Sequence, residues 1–241
     1  MAPGTLPASD TDAVKPLSSI GRIKSQKALA AKKLAAADAN GDSGKPYVRG
    51  AKGQLEDMDR LMKLPWCQEL LAQPGMQTLL TCGAMSKPPQ PGEVNAIDPD
   101  HLFLSLLRQD LIRDLLFLYS PTHRTFHTLM SVGLDVCGHP SIVHGGFTSA
   151  MIDETTGGLV FELKKAGELG GGPAFTARLE VDYKAPIPAS ADVVCTARLE
   201  KVEGRKCWTV AEVADRPGGT VYAVGRALYV TPRSHAAAEQ Q

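Results

Sequence analysis

The chain has 241 residues, with 26 lysines and arginines balanced by 26 aspartates and glutamates, so its formal net charge is zero. That length holds one domain with long extensions or two small domains, each able to bury a core, and the neutral balance argues against a nucleic-acid partner. Hydrophobic residues at 43% and charged residues at 22% exclude wholesale disorder and a polytopic membrane protein.

Residues 1–50 are rich in Ala, Lys, Ser, Gly and Pro with few large apolar side chains, so they are expected to form a disordered arm. Within it, residues 18–39 are basic and alanine-rich, compatible with a solvated tail, a transient helix or a targeting peptide. Asp10 and Asp12 count against the last, since such peptides are poor in acid. Residues 51–120 are expected to be a helical lead-in. Pro65 and Pro74 divide residues 54–80 into short helices, and Pro88, Pro89, Pro91 and Gly92 form a loop. Residues 102–119 (LFLSLLRQDLIRDLLFLY) are read as an amphipathic helix ending before Pro121. Arg108, Asp110, Arg113 and Asp114 in its middle exclude a membrane anchor.

From residue 121 the character changes. Residues 126–136 read as a strand closed by Gly138 and Pro140. A strongly helical stretch follows over 145–165, stopped by Gly167 and the run Gly170, Gly171, Gly172. Ala177, Leu179, Val181 and Tyr183 alternate with Thr176, Arg178, Glu180, Asp182 and Lys184, the period of a half-buried strand. Val193, Cys195, Ala197 and Leu199 repeat that pattern. Turns at Gly204 and at Arg216, Pro217, Gly218 and Gly219 lead into strands over 206–213 and 220–230. One helix followed by strands on short connections implies an antiparallel meander packed against that helix, an α+β domain over 121–232, with 233–241 a flexible tail.

The segment that carries chemistry is 139–158, HPSIVHGGFTSAMIDETTGG. His144, Gly145 and Gly146 sit where loop becomes helix, and two glycines there let a ligand approach backbone amides closely. Those amides lack intrahelical acceptors, and the helix end is partially positive, so the site suits a developing oxyanion. Asp153, nine residues past His144, lies inside the helix between Ile152 and Glu154, where a carboxylate is costly unless paired or functional. Asp153 and Glu154 point about 100° apart, so one faces a site and the other solvent or an interface, and a one-residue change of helix phase would exchange them. His144 reads equally as a helix-entry residue bonded to backbone or as a catalytic group.

The string HGGFTSAMIDE, followed by TARLEVDYKAPIP at 176–188 and LEKVEGRK at 199–206, resembles the hotdog-fold acyl-coenzyme A thioesterases, especially the subgroup of thioesterase superfamily member four and its fungal relatives. The resemblance covers residues 121–232, and more loosely Pro65, Trp66, Cys67 and 102–119. It implies a hotdog fold, an antiparallel sheet wrapped around one central helix, and hydrolysis of a fatty-acyl or related acyl-CoA in lipid metabolism. It places the reacting carboxylate on Asp153, an assisting threonine on Thr176 and the carbonyl-polarising amide on Gly146, with His144 and Gly145 shaping the turn. Lys184, Arg205 and Lys206 match positions that bind the nucleotide portion of coenzyme A, and Asp182 a neighbouring substrate contact. A homodimer or dimer of dimers is implied, with amide and carboxylate from different chains. Coenzyme A is part of the substrate, and no cofactor is expected.

Thioester hydrolysis needs a water, a base and donors aimed at the carbonyl oxygen. Asp153 serves as base in that scheme, and direct attack by Asp153 to give an anhydride is the alternative. A catalytically silent acyl-CoA or protein binder, and a hydratase or dehydratase of the same fold, are the rival readings. His123 and His127, four apart in a loop-and-strand segment with no second ligand cluster, are read as ordinary histidines, and no metal is expected. Gly170 to Gly172 lack a strand-to-helix context and are a turn, not a phosphate loop. Five cysteines (Cys67, Cys82, Cys137, Cys195, Cys207) without a C-x-x-C pair or a secretory signal read as reduced thiols of an intracellular protein, cytoplasmic or organellar.

Overall fold

The computed structural model describes residues 60–79, 101–109 and 111–233. The expected arm, the proline loop and the tail beyond residue 233 lie outside the described residues. A short 3-10 turn (Leu61–Lys63) precedes α1 (Pro65–Leu71), β1 (Gln77–Leu79), α2 (Leu102–Arg108), β2 (Ile112–Ser120), β3 (Thr125–Val132), β4 (Cys137–His139) and β5 (Ile142–Val143). Then come the long helix α3 (Gly145–Lys165) and β6 (Phe175–Tyr183), β7 (Asp192–Glu203), β8 (Lys206–Ala214) and β9 (Val221–Val230). Seven strands form one sheet in the order β1-β2-β3-β7-β8-β9-β6, every neighbouring pair antiparallel. The inner face of this sheet wraps around α3, the α+β arrangement that the pattern of elements predicts and the hotdog fold that the resemblance implies.

Residues 102–119 are not one helix. The helix stops at Arg108, and Ile112–Ser120 is a strand with eight of nine residues buried. An unbroken apolar run cannot be told from a buried helix by spacing alone, and here it is buried on both faces. Leu115, Phe117 and Tyr119 face α3, while Leu116 and Leu118 face a second cluster with Leu61, Cys67 and Leu70. The lead-in is therefore helical only in part, and it supplies two strands to the sheet. Asp114 fixes the outer layer, its Oδ2 accepting the N–H groups of Arg60 and Leu61 at 3.0 Å each.

Helix α3 buries Met151, Ile152, Leu159 and Leu163 completely. Thr155 and Thr156 donate back to the carbonyls of Met151 and Ile152, which satisfies their hydroxyls inside the core. Gly158 is where helix and sheet come closest: a Cβ there would stand 2.6 Å from Phe126 Cζ. Cys67, Cys195 and Cys207 are buried and free. Burial pushes their thiols up, to about 11, about 12 and about 11, so none is a thiolate at neutral pH.

His127 on β3 is buried, its Nδ1 3.0 Å from Thr196 Oγ1. Burial, reinforced by the Arg198 charge, lowers its pKa from 6.5 to about 4. The unfolded chain therefore binds this proton where the folded chain does not. The stability tied to neutral His127 is complete above 6.5 and is lost as pH falls toward 4, at a slope approaching about 1.4 kcal/mol per pH unit. Urea midpoints measured across that window are expected to fall more steeply for wild type than for His127→Gln. Parallel curves would mean that the site is protonated in the folded state.

Candidate active site

His144 is the N-cap of α3, held by its own N–H to the Val136 carbonyl at 2.8 Å. Its ring Nδ1 accepts the Gly146 N–H at 2.8 Å. A Cβ on Gly146 would lie 3.0 Å from that nitrogen, and one on Gly145 would lie 3.4 Å from the Tyr183 ring, so both glycines keep the entry turn tight. Tyr183 Oη donates to the Gly145 carbonyl at 2.9 Å. The Gly146 amide, assigned by resemblance to a substrate carbonyl, is thus occupied by the His144 ring.

Asp153 lies two turns further along α3, partly exposed. Its Oδ1 accepts the Thr176 hydroxyl at 2.9 Å and the Tyr229 hydroxyl at 3.2 Å. Asp153 Oδ2 accepts no hydrogen bond among the described residues. Glu154 points elsewhere, its Oε2 3.6 Å from Nε2 of His101 at the start of α2. The helix phase therefore gives Asp153, not Glu154, to Thr176.

Strict alternation along β6 would put Thr176 on the opposite face from Leu179 and Val181. A register shift between Thr176 and Arg178 changes that. Such a bulge re-aims one side chain without disturbing the rest of the strand. Thr176 becomes the direct cross-strand partner of Tyr229, and both hydroxyls face the helix.

Two adjoining cavities open beside this carboxylate. One of about 650 Å³ is lined by Asp153, Gly157, Phe161, Phe175, Thr176 and Tyr229. The other, about 770 Å³, carries Lys164, Arg205, Lys206 and Arg233 around an apolar wall that includes Val160 and Tyr229. Arg205 sits in the two-residue turn between β7 and β8, where Gly204 has φ +56°, and its Nη1 donates to the Thr231 carbonyl at 2.8 Å. Asp182 and Lys184 line neither cavity; they pair with each other at 3.4 Å on the exposed part of the sheet edge. Among the described residues no group of His, Cys, Asp or Glu is arranged to hold a metal ion, and no helix is long and apolar enough to cross a membrane.

The arrangement presents a carboxylate with one oxygen held and one open, in a largely apolar cavity that Lys164 and Lys165 also line, with Arg205, Lys206 and Arg233 lining the adjoining one. Residues 141–231 match the family model of the thioesterase superfamily. The chain is also similar to curated proteins. The acyl-coenzyme A thioesterase THEM4 of Xenopus laevis is 34% identical over 131 residues, 54% of this chain and 55% of that protein. The protein of the same name from Mus musculus is 33% identical over 112 residues, 46% of this chain and 45% of that protein. The chain spans about half the length of the curated relatives it matches. The crystal structure of zebra fish thioesterase superfamily member 2 has a TM-score of 0.45 at 16% identity, covering 56% of this chain and 90% of that one.

Tyr229, Lys164 and Arg233 are among the site-lining residues that the sequence alone does not mark. Tyr229 sits in an alternating strand like any buried aromatic, and only the β6–β9 register sets it opposite Thr176.

Proposed function

We propose that this chain is an acyl-CoA thioesterase, hydrolysing a fatty-acyl or related acyl-CoA to a free acid and coenzyme A. The observation that carries the reading is the 2.9 Å hydrogen bond from Thr176 to Asp153 at the mouth of an apolar cavity. The superfamily match and the similarity to proteins named acyl-coenzyme A thioesterase support the same reaction. Water attacks the thioester carbon while Asp153 Oδ2 takes its proton, the C–S bond breaks, and the proton passes to the departing CoA sulfur. Thr176 orients the carboxylate and the water. The Gly146 amide at the helix start polarises the carbonyl oxygen once the His144 ring moves off it. Coenzyme A enters as substrate only, its nucleotide portion held by Arg205 and Lys206.

Gly146 and Asp153 are seven residues apart on α3, about 10 Å along the axis, so one carbonyl cannot touch both in a single chain. A homodimer resolves this by letting each chain supply one group. The edge strand β6, with Phe175 60% and Tyr183 54% exposed, is the surface suited to a second copy.

Release of free CoA thiol from short, medium, long and aromatic acyl-CoAs tests the reaction. Turnover of any of them supports it; binding of acyl-CoA without cleavage would favour a silent binder. Within that assay, Thr176→Ala is expected to lower kcat about tenfold or more while KM changes little, because orientation acts on the chemical step. A rise in KM alone would make Thr176 a substrate contact.

A further inference from the structure

We infer that Tyr229 is a positioning residue for Asp153, holding Oδ1 together with Thr176 so that Oδ2 alone meets the reacting water. This rests on the reading of Asp153 as the reacting carboxylate, and it deepens that reading by saying which of its oxygens reacts.

The phenol is buried, and its hydroxyl reaches three groups on α3. It lies 3.2 Å from Asp153 Oδ1, 2.9 Å from the Asp153 carbonyl and 2.9 Å from Thr156 Oγ1. Thr156 gives its own proton to the Ile152 carbonyl, which leaves its oxygen free to accept. Tyr229 therefore has one proton and several acceptors, and the ionised carboxylate draws it most strongly, as charged acceptors do. Burial, then the Asp153 charge, push the phenol up, so it keeps that proton at neutral pH.

The surroundings are built for this contact. Gly157 faces the hydroxyl, and a Cβ there would stand 3.3 Å from it, a contact tight enough to shift the phenol slightly. On the sheet side Tyr229 is the register partner of Thr176, so two adjacent strands deliver two hydroxyls to one carboxylate oxygen. Two donors on Oδ1 fix the carboxylate plane. With a single donor on Oδ1 the carboxylate would turn more freely about its Cβ–Cγ bond, and a loosely placed reacting group costs rate without costing affinity.

Tyr229→Phe keeps the ring in the core and removes only the hydroxyl. Steady-state thiol release should show kcat lowered about tenfold or more with KM changed less than about threefold, and thermal unfolding should show a folded protein. A wild-type kcat, or a rise confined to KM, overturns the assignment, the latter by making Tyr229 a substrate contact. If Tyr229→Phe does not fold, Gly157→Ala decides. It keeps the phenol and crowds its hydroxyl at 3.3 Å, so kcat should fall several-fold in a protein that still unfolds cooperatively, and an unchanged kcat overturns the proposal. Asp153→Asn measured alongside separates the two ideas. Full turnover in that variant removes the reading of Asp153 itself, whereas its loss together with a wild-type Tyr229→Phe removes only the role of Tyr229.

Discussion

Asp153→Asn is expected to lower kcat for acyl-CoA hydrolysis by roughly 10²- to 10⁴-fold, the span over which a positioned base contributes. The substitution keeps the size of the side chain and an oxygen able to accept from Thr176 and Tyr229, so packing and substrate affinity should persist. It removes the basic oxygen that takes the proton from water. KM near the wild-type value and an unchanged Tm would therefore accompany the loss of turnover. Glu154→Gln is the matched control: its carboxylate faces His101, not Thr176, and turnover should stay close to wild type. Reversal of the two outcomes would mean that the reacting carboxylate is Glu154. Free CoA thiol release at saturating acyl-CoA, with thermal unfolding of each variant, measures both.

The helix bearing these acids was fully legible, because His144 with two glycines starts it and a glycine-rich run follows its end. The strands after it were legible too, since each alternates between Gly or Pro turns, although β6 at the sheet edge buries none of its residues in the single chain. What escaped were features that depend on partners distant in sequence. Leu115 to Tyr119 read as helix because burial on both faces erased the period-two signal, and among the described residues the outer face is covered by the segment containing Leu61, Cys67 and Leu70. The alternation of β6 placed Thr176 on the wrong side, because a bulge is a property of strand pairing and leaves no mark in a single strand. Tyr229 was invisible for the same reason. Resemblance supplied Asp153 and Thr176 as a pair, but their contact through Oδ1, and the His144 ring on the Gly146 amide, are matters of side-chain geometry.

Gly158→Val is expected to cost about 2–3 kcal/mol of folding stability, the upper part of the range for overpacking a core. A Cβ at residue 158 would lie 2.6, 2.8 and 3.0 Å from three carbons at the tip of the Phe126 ring. That ring is fully buried and packs against Phe117 at a centroid distance of 6.0 Å, so it has no solvent to withdraw into. Valine is a somewhat better helix residue than glycine, by a few tenths of a kcal/mol, which offsets little of the clash. For a domain of this size the loss corresponds to a fall in Tm of roughly 8 °C. The cause is checked by a cycle with Phe126→Leu. That change alone leaves a void and destabilises, but in the valine background it removes the clash. The double variant should therefore lose less than the sum of the two single losses, by about 0.5 kcal/mol or more. Additive losses would mean that valine is accommodated by a shift of α3 away from the sheet. Such a shift would also move Asp153 from Thr176, so thiol release measured on the same proteins should then fall in step with stability.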